Sequence, residues 1–321
     1  MKKILFASTA LVAFAGAASA EVALSGVAEL GVIGSDAYAG TEFHTDIDVT
    51  FTMTGEADNG LTFGASIDLD ESDEDDAEAA IVPPGTAPRG SNAFAERTQG
   101  GESIFVAYGA MRLDMGDVDG AYDAALTEAI IGGSITDDLE HAGYNGNAGL
   151  DGTYGGQIAT FSYAASGFTG YVSAEIDDQA AGTAQRDAVW GVGVKYSTAI
   201  SSATVGFGLG YQSAGSVEIM GVSADIKMDN GIQAILNYSD TDGMAADYKH
   251  MGIALGYTMN ALTVGVNYGK YDFDAGTENT GYGLAVNYDL GGGLVAQAGY
   301  GKSDRAGVEA DQWSLGLAMS F

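Results

Sequence analysis

The sequence predicts an all-β protein, a single antiparallel β-barrel of sixteen strands closed on itself in a membrane. Three observations carry this. The chain ends Asp311-Gln-Trp-Ser-Leu-Gly-Leu-Ala-Met-Ser-Phe321, where Trp313, Leu315, Leu317, Met319 and Phe321 alternate with Gln312, Ser314, Gly316, Ala318 and Ser320. A period of two marks a strand with one apolar face and one polar or small face. The chain is also 46% hydrophobic. Yet beyond the first twenty residues no run approaches the ~18 apolar residues of a spanning helix, so the apolar content is dispersed at alternate positions, as a membrane barrel stores it. Finally, the first twenty residues read as an export leader. Lys2 and Lys3 precede an apolar stretch from Ile4 to Ala15, and Ala18-Ser19-Ala20 fits a small-residue cleavage site. The expected organisation is a cleavable signal peptide over 1–20 and a barrel over 21–321.

Phe43–Thr54 is the clearest strand. Phe43, Thr45, Ile47, Val49, Phe51 and Met53 share one face; His44, Asp46, Asp48, Thr50, Thr52 and Thr54 share the other. Gly55–Gly60 is a turn of residues that tolerate left-handed backbone, and 61–70 alternates again, which makes a hairpin. The other strands are expected at 22–34, 102–109, 110–117, 158–164, 168–177, 187–197, 203–212, 217–228, 232–240, 247–258, 262–272, 279–289, 293–302 and 311–321. A ten-residue strand tilted ~45° rises about 23 Å, close to the apolar band of such barrels. Short connections (55–60, 166–167, 229–231, 259–261, 289–293) alternate with longer polar ones, above all 71–101 and 117–157. An even strand count puts both ends of the barrel on the short-turn side. Gly191, Gly193, Gly281 and Gly283 fall on lumen-facing positions, where they thin the wall. Tyr196, Tyr211, Tyr238, Tyr257, Tyr268, Tyr288 and Tyr300 lie near strand ends and suit interfacial girdles.

The formal charge is −32. Such acidity excludes nucleic acid as a partner and favours cations near a channel mouth. Seventeen Tyr, twelve Phe and only three Pro argue against disorder, and the absence of cysteine excludes disulfides and thiolate metal sites. No catalytic constellation emerges from His44, His141 and His250, so the chain does not read as an enzyme. Gly291-Gly-Gly293 lacks the context of a phosphate-binding loop and reads as a turn.

Glu21-Val-Ala-Leu-Ser-Gly26, Gly109-Ala-Met-Arg-Leu-Asp-Met-Gly-Asp117, Tyr288-Asp-Leu-Gly-Gly-Gly293 and the terminal Phe321 resemble the trimeric general diffusion porins of alphaproteobacteria, the Rhodobacter type, over essentially the whole mature chain. The resemblance implies a homotrimer of sixteen-stranded barrels in the outer membrane of a Gram-negative bacterium. It also implies a third extracellular loop folded inward as the constriction. The expected function is passive diffusion of small hydrophilic solutes and ions, with cations preferred; a channel selective for sugars or organic cations is the alternative. Outer-membrane lipid and lipopolysaccharide are the expected surroundings.

The inward loop corresponds to 117–157. Its acids Asp117, Asp119, Asp123, Glu128, Asp137, Asp138 and Glu140 are the expected acidic side of the constriction, and Ala121–Ile131 is a candidate helix. Arg112, Lys195, Lys227 and Lys249 are assigned to the water-facing wall opposite, since Lys or Arg toward mid-bilayer lipid costs ~2–4 kcal/mol. No cofactor is expected. The run Asp68–Glu78 holds eight acids in eleven residues. Oxygen-only ligands suit Ca²⁺ or Mg²⁺, so Asp73, Glu74, Asp75 and Asp76, or the loop acids, are candidates for a weak calcium site; a solvated loop is the plainer reading.

Overall fold

The computed structural model describes residues 21–36, 40–70, 98–136, 141–155, 157–177 and 186–321. The expected leader over 1–20 and the acids Asp73, Glu74, Asp75 and Asp76 lie outside the described residues, as do Asp137, Asp138 and Glu140.

Sixteen strands follow in chain order: β1 (Glu21–Ser35), β2 (Gly40–Glu56), β3 (Thr62–Asp70), β4 (Thr98–Tyr108), β5 (Met111–Gly116), β6 (Ile158–Ala165), β7 (Phe168–Glu175), β8 (Val189–Ile200), β9 (Ala203–Ala214), β10 (Val217–Met228), β11 (Ile232–Asp242), β12 (Tyr248–Met259), β13 (Leu262–Phe273), β14 (Glu278–Gly291), β15 (Leu294–Arg305) and β16 (Val308–Ser320). Each pairs antiparallel with its sequence neighbour, and β1 pairs with β16, from Val27↔Ser320 to Ser35↔Gln312. The closed ladder leaves no sheet edge, which is what a strand-built membrane span requires.

The period-two reading holds. Val22, Leu24 and Leu30 on β1, and Met251, Ile253, Leu255 and Tyr257 on β12, are exposed on the outside. His44 on β2 and His250, Ala254 and Gly256 on β12 point to the lumen. The seven tyrosines named above share the outward parity. Tyr211, Tyr238, Tyr268 and Tyr300 stand toward the extracellular ends; Tyr196, Tyr257 and Tyr288 stand toward the periplasmic ends.

Several boundaries differ from expectation. Gly109 and Ala110 form the β4–β5 turn instead of belonging to the strands. The long-loop side is less uniform than expected: Gly215–Ser216 and Ala306–Gly307 are two-residue turns. Ala306 (φ 52°) and Gly307 (φ 90°) both take left-handed backbone, the requirement of a tight hairpin whose twist matches its strands.

Candidate functional site: the pore loop and the barrel wall

The connection from β5 to β6 runs across the lumen. It leaves β4 and β5 where the Asp117 N–H donates to the Glu102 carbonyl at 2.8 Å. Thr160 Oγ1 on β6 then donates to the Asp119 carbonyl at 2.8 Å. A single helical turn, α1 (Ala121–Ala125), follows. It is shorter than the expected Ala121–Ile131, because Leu126 takes extended backbone and ends it. Two backbone donors at the start of the turn are satisfied by side chains. The Gly120 N–H donates to Asp151 Oδ2 and the Ala121 N–H to Ser173 Oγ, both at 2.8 Å. Tyr122, 1% exposed, packs with Leu126, Leu150, Tyr154, Val189 and Ile219. The loop thus carries its own apolar core into the barrel.

Glycines on the inward face make room for it. A Cβ on Gly193 would sit 2.2 Å from the Ala121 carbonyl oxygen, and one on Gly208 2.2 Å from that of Ala125. On Gly265 it would lie 1.8 Å from the Ile131 oxygen, and on Gly269 1.9 Å from the Gly143 oxygen. Further round, Gly299 faces Ser134, while Gly31 and Gly316 face Ile135 across the β1–β16 seam. Gly191, Gly193 and Gly281 are lumen-facing as expected; Gly193 admits the Ala121 carbonyl, Gly281 the His141 ring, and Gly191 lies against Ser173 Oγ and Ala121.

Between the glycines, wall side chains fasten the loop backbone. The Thr127 N–H donates to Ser223 Oγ at 2.9 Å, and Asn237 Nδ2 donates to the Thr127 carbonyl at 3.0 Å. Asn287 takes the Gly133 N–H at 2.9 Å and gives its amide to the Gly133 carbonyl at 2.7 Å. The Ala142 N–H donates to Ser303 Oγ at 2.9 Å, Tyr271 Oη to the Tyr144 carbonyl at 3.1 Å, and the Leu150 N–H to Gln212 Oε1 at 2.7 Å. Sequence reasoning assigned these residues only to a polar lumen. Their role depends on which loop residue lies opposite, which alternation does not encode.

Two titratable loop groups are strongly shifted. Burial pushes the Asp151 carboxyl up to about 6, against the opposing pull of the Gly120 N–H and the Gln212 amide. Burial pushes the His141 imidazole down to about 4, and neighbouring His250 pushes the same way. The Gly143 N–H donates to His141 Nδ1 at 3.1 Å, and His250 Nε2 lies 2.9 Å from the Gly143 carbonyl. A carbonyl only accepts, so His250 carries its proton on Nε2.

Among the described residues, the loop's contacts run from β6 round to β16 and β1, with Asp117 touching β4. The inward face of β2 and β3 carries His44, Asp46, Asp48, Thr50, Thr52 and Thr54, then Thr62, Ser66 and Asp68, with Glu29 on adjoining β1; His44 and Asp68 are buried, 8% and 5% exposed. Thr50 Oγ1 donates to Asp68 Oδ1 at 2.9 Å.

The expected acids divide. Asp117 and Asp119 are exposed; Asp123 is 8% exposed, inside the loop core. Glu128 is half-buried and accepts a hydrogen bond from Tyr144 Oη. Of the expected bases, Arg112, Lys195 and Lys227 face inward and Lys249 does not. Arg112 faces inward but makes a double hydrogen bond to Asp114 (Nε to Oδ2 2.8 Å, Nη2 to Oδ1 2.6 Å) and lies over the Phe105 ring at 3.9 Å. Lys195, between Thr169 and Gly208, and Lys227, between Thr204 and Gln233, face inward toward the periplasmic ends. Lys249 is a correction. It shares the outward side of β12 with Met251, Ile253, Leu255 and Tyr257, because His250 occupies the inward position, and it pairs with Asp240 at 3.0 Å. No cluster of metal-ligating side chains occurs among the described residues.

Comparison with known proteins agrees with this architecture. A family model described as Gram-negative porin matches residues 7–307. The porin of Rhodobacter capsulatus is 27% identical, covering 94% of this chain and 100% of its own length. A porin structure refined at 1.8 Å superposes with a TM-score of 0.68 at 22% identity. A triple mutant of the Rhodopseudomonas blastica porin superposes with a TM-score of 0.71 at 18% identity; each covers 94% of this chain and 100% of the solved chain. The family model spans most of the sequence and the barrel has the matching form, so the chain belongs to the Gram-negative porin family, as a passive diffusion channel of the outer membrane and not an enzyme.

Proposed function

We propose that this channel passes small hydrophilic solutes and prefers cations, and that the preference arises on both sides of the space beside the loop. One observation carries the reading: the inward face of β2 and β3 is itself acidic. Glu29, Asp46, Asp48 and Asp68 face the lumen there, while Asp117, Asp119 and Glu128 lie on the loop. Carboxylates flanking a narrow aqueous path with low-dielectric walls concentrate cations more effectively than the same charges on an open surface. Arg112 does not oppose them as a lone charge, since Asp114 shares its guanidinium. The test is the reversal potential of single channels in a potassium chloride gradient. Wild type should favour K⁺, and Asp46→Asn with Asp48→Asn and Asp68→Asn should lower the ratio several-fold. Chloride preference in wild type would sink the reading.

The same proposal takes 1–20 as a cleaved leader and the working assembly as a homotrimer. Ala28 and Ala296, small and outward, permit close packing of barrels in lipid. Only monomer on native electrophoresis after mild extraction would argue against the trimer.

A substrate-selective channel keeps one supporting feature. Tyr248, Tyr271 and Phe273 cluster on the inward side near the extracellular mouth, with Tyr248 5.5 Å from Phe273 and Tyr271 stacked on Phe273 at 6.3 Å. Aromatic faces of this kind hold sugar rings and organic cations. Concentration-dependent block of the ion current by such a solute, abolished by Tyr248→Ala, would favour this second reading.

A further inference from the structure

Two successive inward rows cross β13, β14 and β15 near the extracellular mouth. The lower row is Gly269, Gly281 and Ser303, paired in register, and loop residues 141–143 lie against it. Gly269 admits the Gly143 carbonyl, Gly281 faces the His141 ring, and Ser303 Oγ accepts the Ala142 N–H at 2.9 Å. The next inward row toward the outside is Tyr271, Asn279 and Arg305. The loop is thus the floor of a shelf, and this upper row is its back wall. Tyr271 Oη holds the Tyr144 carbonyl at 3.1 Å, and the ring of Tyr248 on β12 lies 5.4 Å from that of Tyr271 and 5.5 Å from Phe273. Two strand spacings separate Tyr271 from Arg305, about 10 Å between Cα atoms, which leaves room for one six-membered ring between the side chains.

Each member of the upper row brings a different chemistry. Tyr271, with Tyr248 and Phe273, supplies aromatic surface. Among the described residues, the side chains of Asn279 and Arg305 make no hydrogen bond or ion pair. The acids adjacent to Arg305, namely Asp304, Glu278 and Glu309, lie on the outward parity. Asp304 Oδ1 accepts the Gly307 N–H, and Glu278 and Glu309 pair with Lys270 and Lys302. The Arg305 guanidinium therefore keeps its planar fork for a ligand, and that fork matches a carboxylate. The Asn279 amide offers two donors and an acceptor, which suits hydroxyls. We propose that this shelf is a binding subsite for a sugar acid entering from outside. Its carboxylate lies on Arg305, its hydroxyls on Asn279, and one face of its ring on the aromatics. The site rests on the second reading above, in which the aromatic cluster holds a ring; Asn279 and Arg305 add what selects among rings. A bare anion gains little in a chain of formal charge −32, so the ring contributes the remainder.

The test measures block of single channels of the full-length barrel in planar bilayers by D-galacturonate, with D-galactose, acetate and benzoate as comparisons. Galacturonate should interrupt the current in a concentration-dependent way, and galactose should bind on the order of tenfold more weakly. Arg305→Gln should bring galacturonate down to the level of galactose, by shortening each block and not by slowing its onset. Arg305→Lys keeps the charge but loses the fork, and should shorten the blocks as well. Lys302→Gln, the same change of charge on the outward side of the same strand, should leave them as in wild type. Heat-modifiable migration and an intact open level establish that each variant is folded. Equal block by acetate, or an equal loss in Lys302→Gln, would show a general anion effect and overturn the proposal. Benzoate binding as tightly as galacturonate would overturn it in favour of an aromatic acid. Galactose binding as tightly as galacturonate, with Arg305→Gln without effect, would overturn it while leaving the aromatic cluster as a sugar site. Block by none of these solutes and by no organic cation would sink the proposal and the aromatic reading together.

Discussion

The lumen has two kinds of wall, built by one alternating code. From β7 to β15 the inward positions are rich in glycine, serine, asparagine and glutamine, and the loop lies against many of them. Along β2 and β3 they are mainly aspartate and threonine, with no loop contact among the described residues. The contrast teaches that inward polarity in a barrel is not one property. A covered wall needs absence of bulk plus hydrogen bonds aimed at another backbone. The β2–β3 face needs room for carboxylates and hydroxyls, and Asp68, 5% exposed, shows that an inward acid need not stand in open water. Serine, threonine and asparagine read as merely polar in either place.

The sharpest way to break this contrast is to fill the covered wall. Gly265→Ala with Gly269→Ala places methyl groups where the Ile131 and Gly143 carbonyl oxygens now lie. Overpacking of this sort costs about 1–3 kcal/mol per site. The expected result is a loop cleaved by external protease and an open level that splits into sublevels. Gly170→Ala, where a Cβ would meet nothing within 4 Å, should change neither.

The next largest effect concerns charge. Glu128→Gln with Asp137→Asn, Asp138→Asn and Glu140→Gln should move the reversal potential toward anions while the ladder stays intact. The β2–β3 triple described above should move it at least as far. If the loop variant accounts for the whole shift and the wall variant for none, the acidic wall has no part in selectivity.

A subtler test uses pH, because the two ends of the loop respond oppositely. The His141 imidazole is depressed to about 4 from an ordinary 6.5. Its contribution is therefore complete above 6.5 and is lost as pH falls from 6.5 toward 4. Asp151 is raised to about 6 from 3.8. Its contribution is complete below 3.8 and is lost as pH rises through 6. Between pH 7 and 5, amide exchange corrected for intrinsic rates should speed up around 141–144 and slow around 120–123, by up to on the order of tenfold each. His141→Asn should remove the first response alone; parallel changes at both ends would count against the assignment. The smallest effect is expected from Tyr271→Phe, which removes one hydrogen bond to the Tyr144 carbonyl, worth about 1 kcal/mol. It should add flicker without changing mean conductance.

The strands were legible because alternation is a local signal. Phe43–Thr54 declares both its faces, and Phe321 ends an outward row. The attachment of the loop was not legible, since Gly265 and Ile131 meet only through the register of a closed sheet. Lys249 was misassigned although the evidence was local: Met251, Ile253, Leu255 and Tyr257 fix its side. The expected helix is longer than the observed one because Ala124, Ala125, Leu126 and Ala129 favour helix, while Leu126 takes extended backbone and Ser223 and Asn237 of the wall hold the Thr127 N–H and carbonyl. The bases were assigned by strand parity and residue type; Arg112, Lys195 and Lys227 do face inward, while the pairing of Arg112 with Asp114 was not legible from either.

The seam between β1 and β16 has a consequence for biogenesis. The strand completed first has its second partner completed last, so until residue 320 is available to meet residue 27 the sheet keeps two open edges. Each edge offers unpaired amides and carbonyls along its length, a template for joining another unfinished copy. Closure is also the contact of greatest sequence separation in the chain, which makes it the slow step. A protein of this design therefore depends on being escorted through its unfinished state, and it becomes safe from self-association only when its two ends meet.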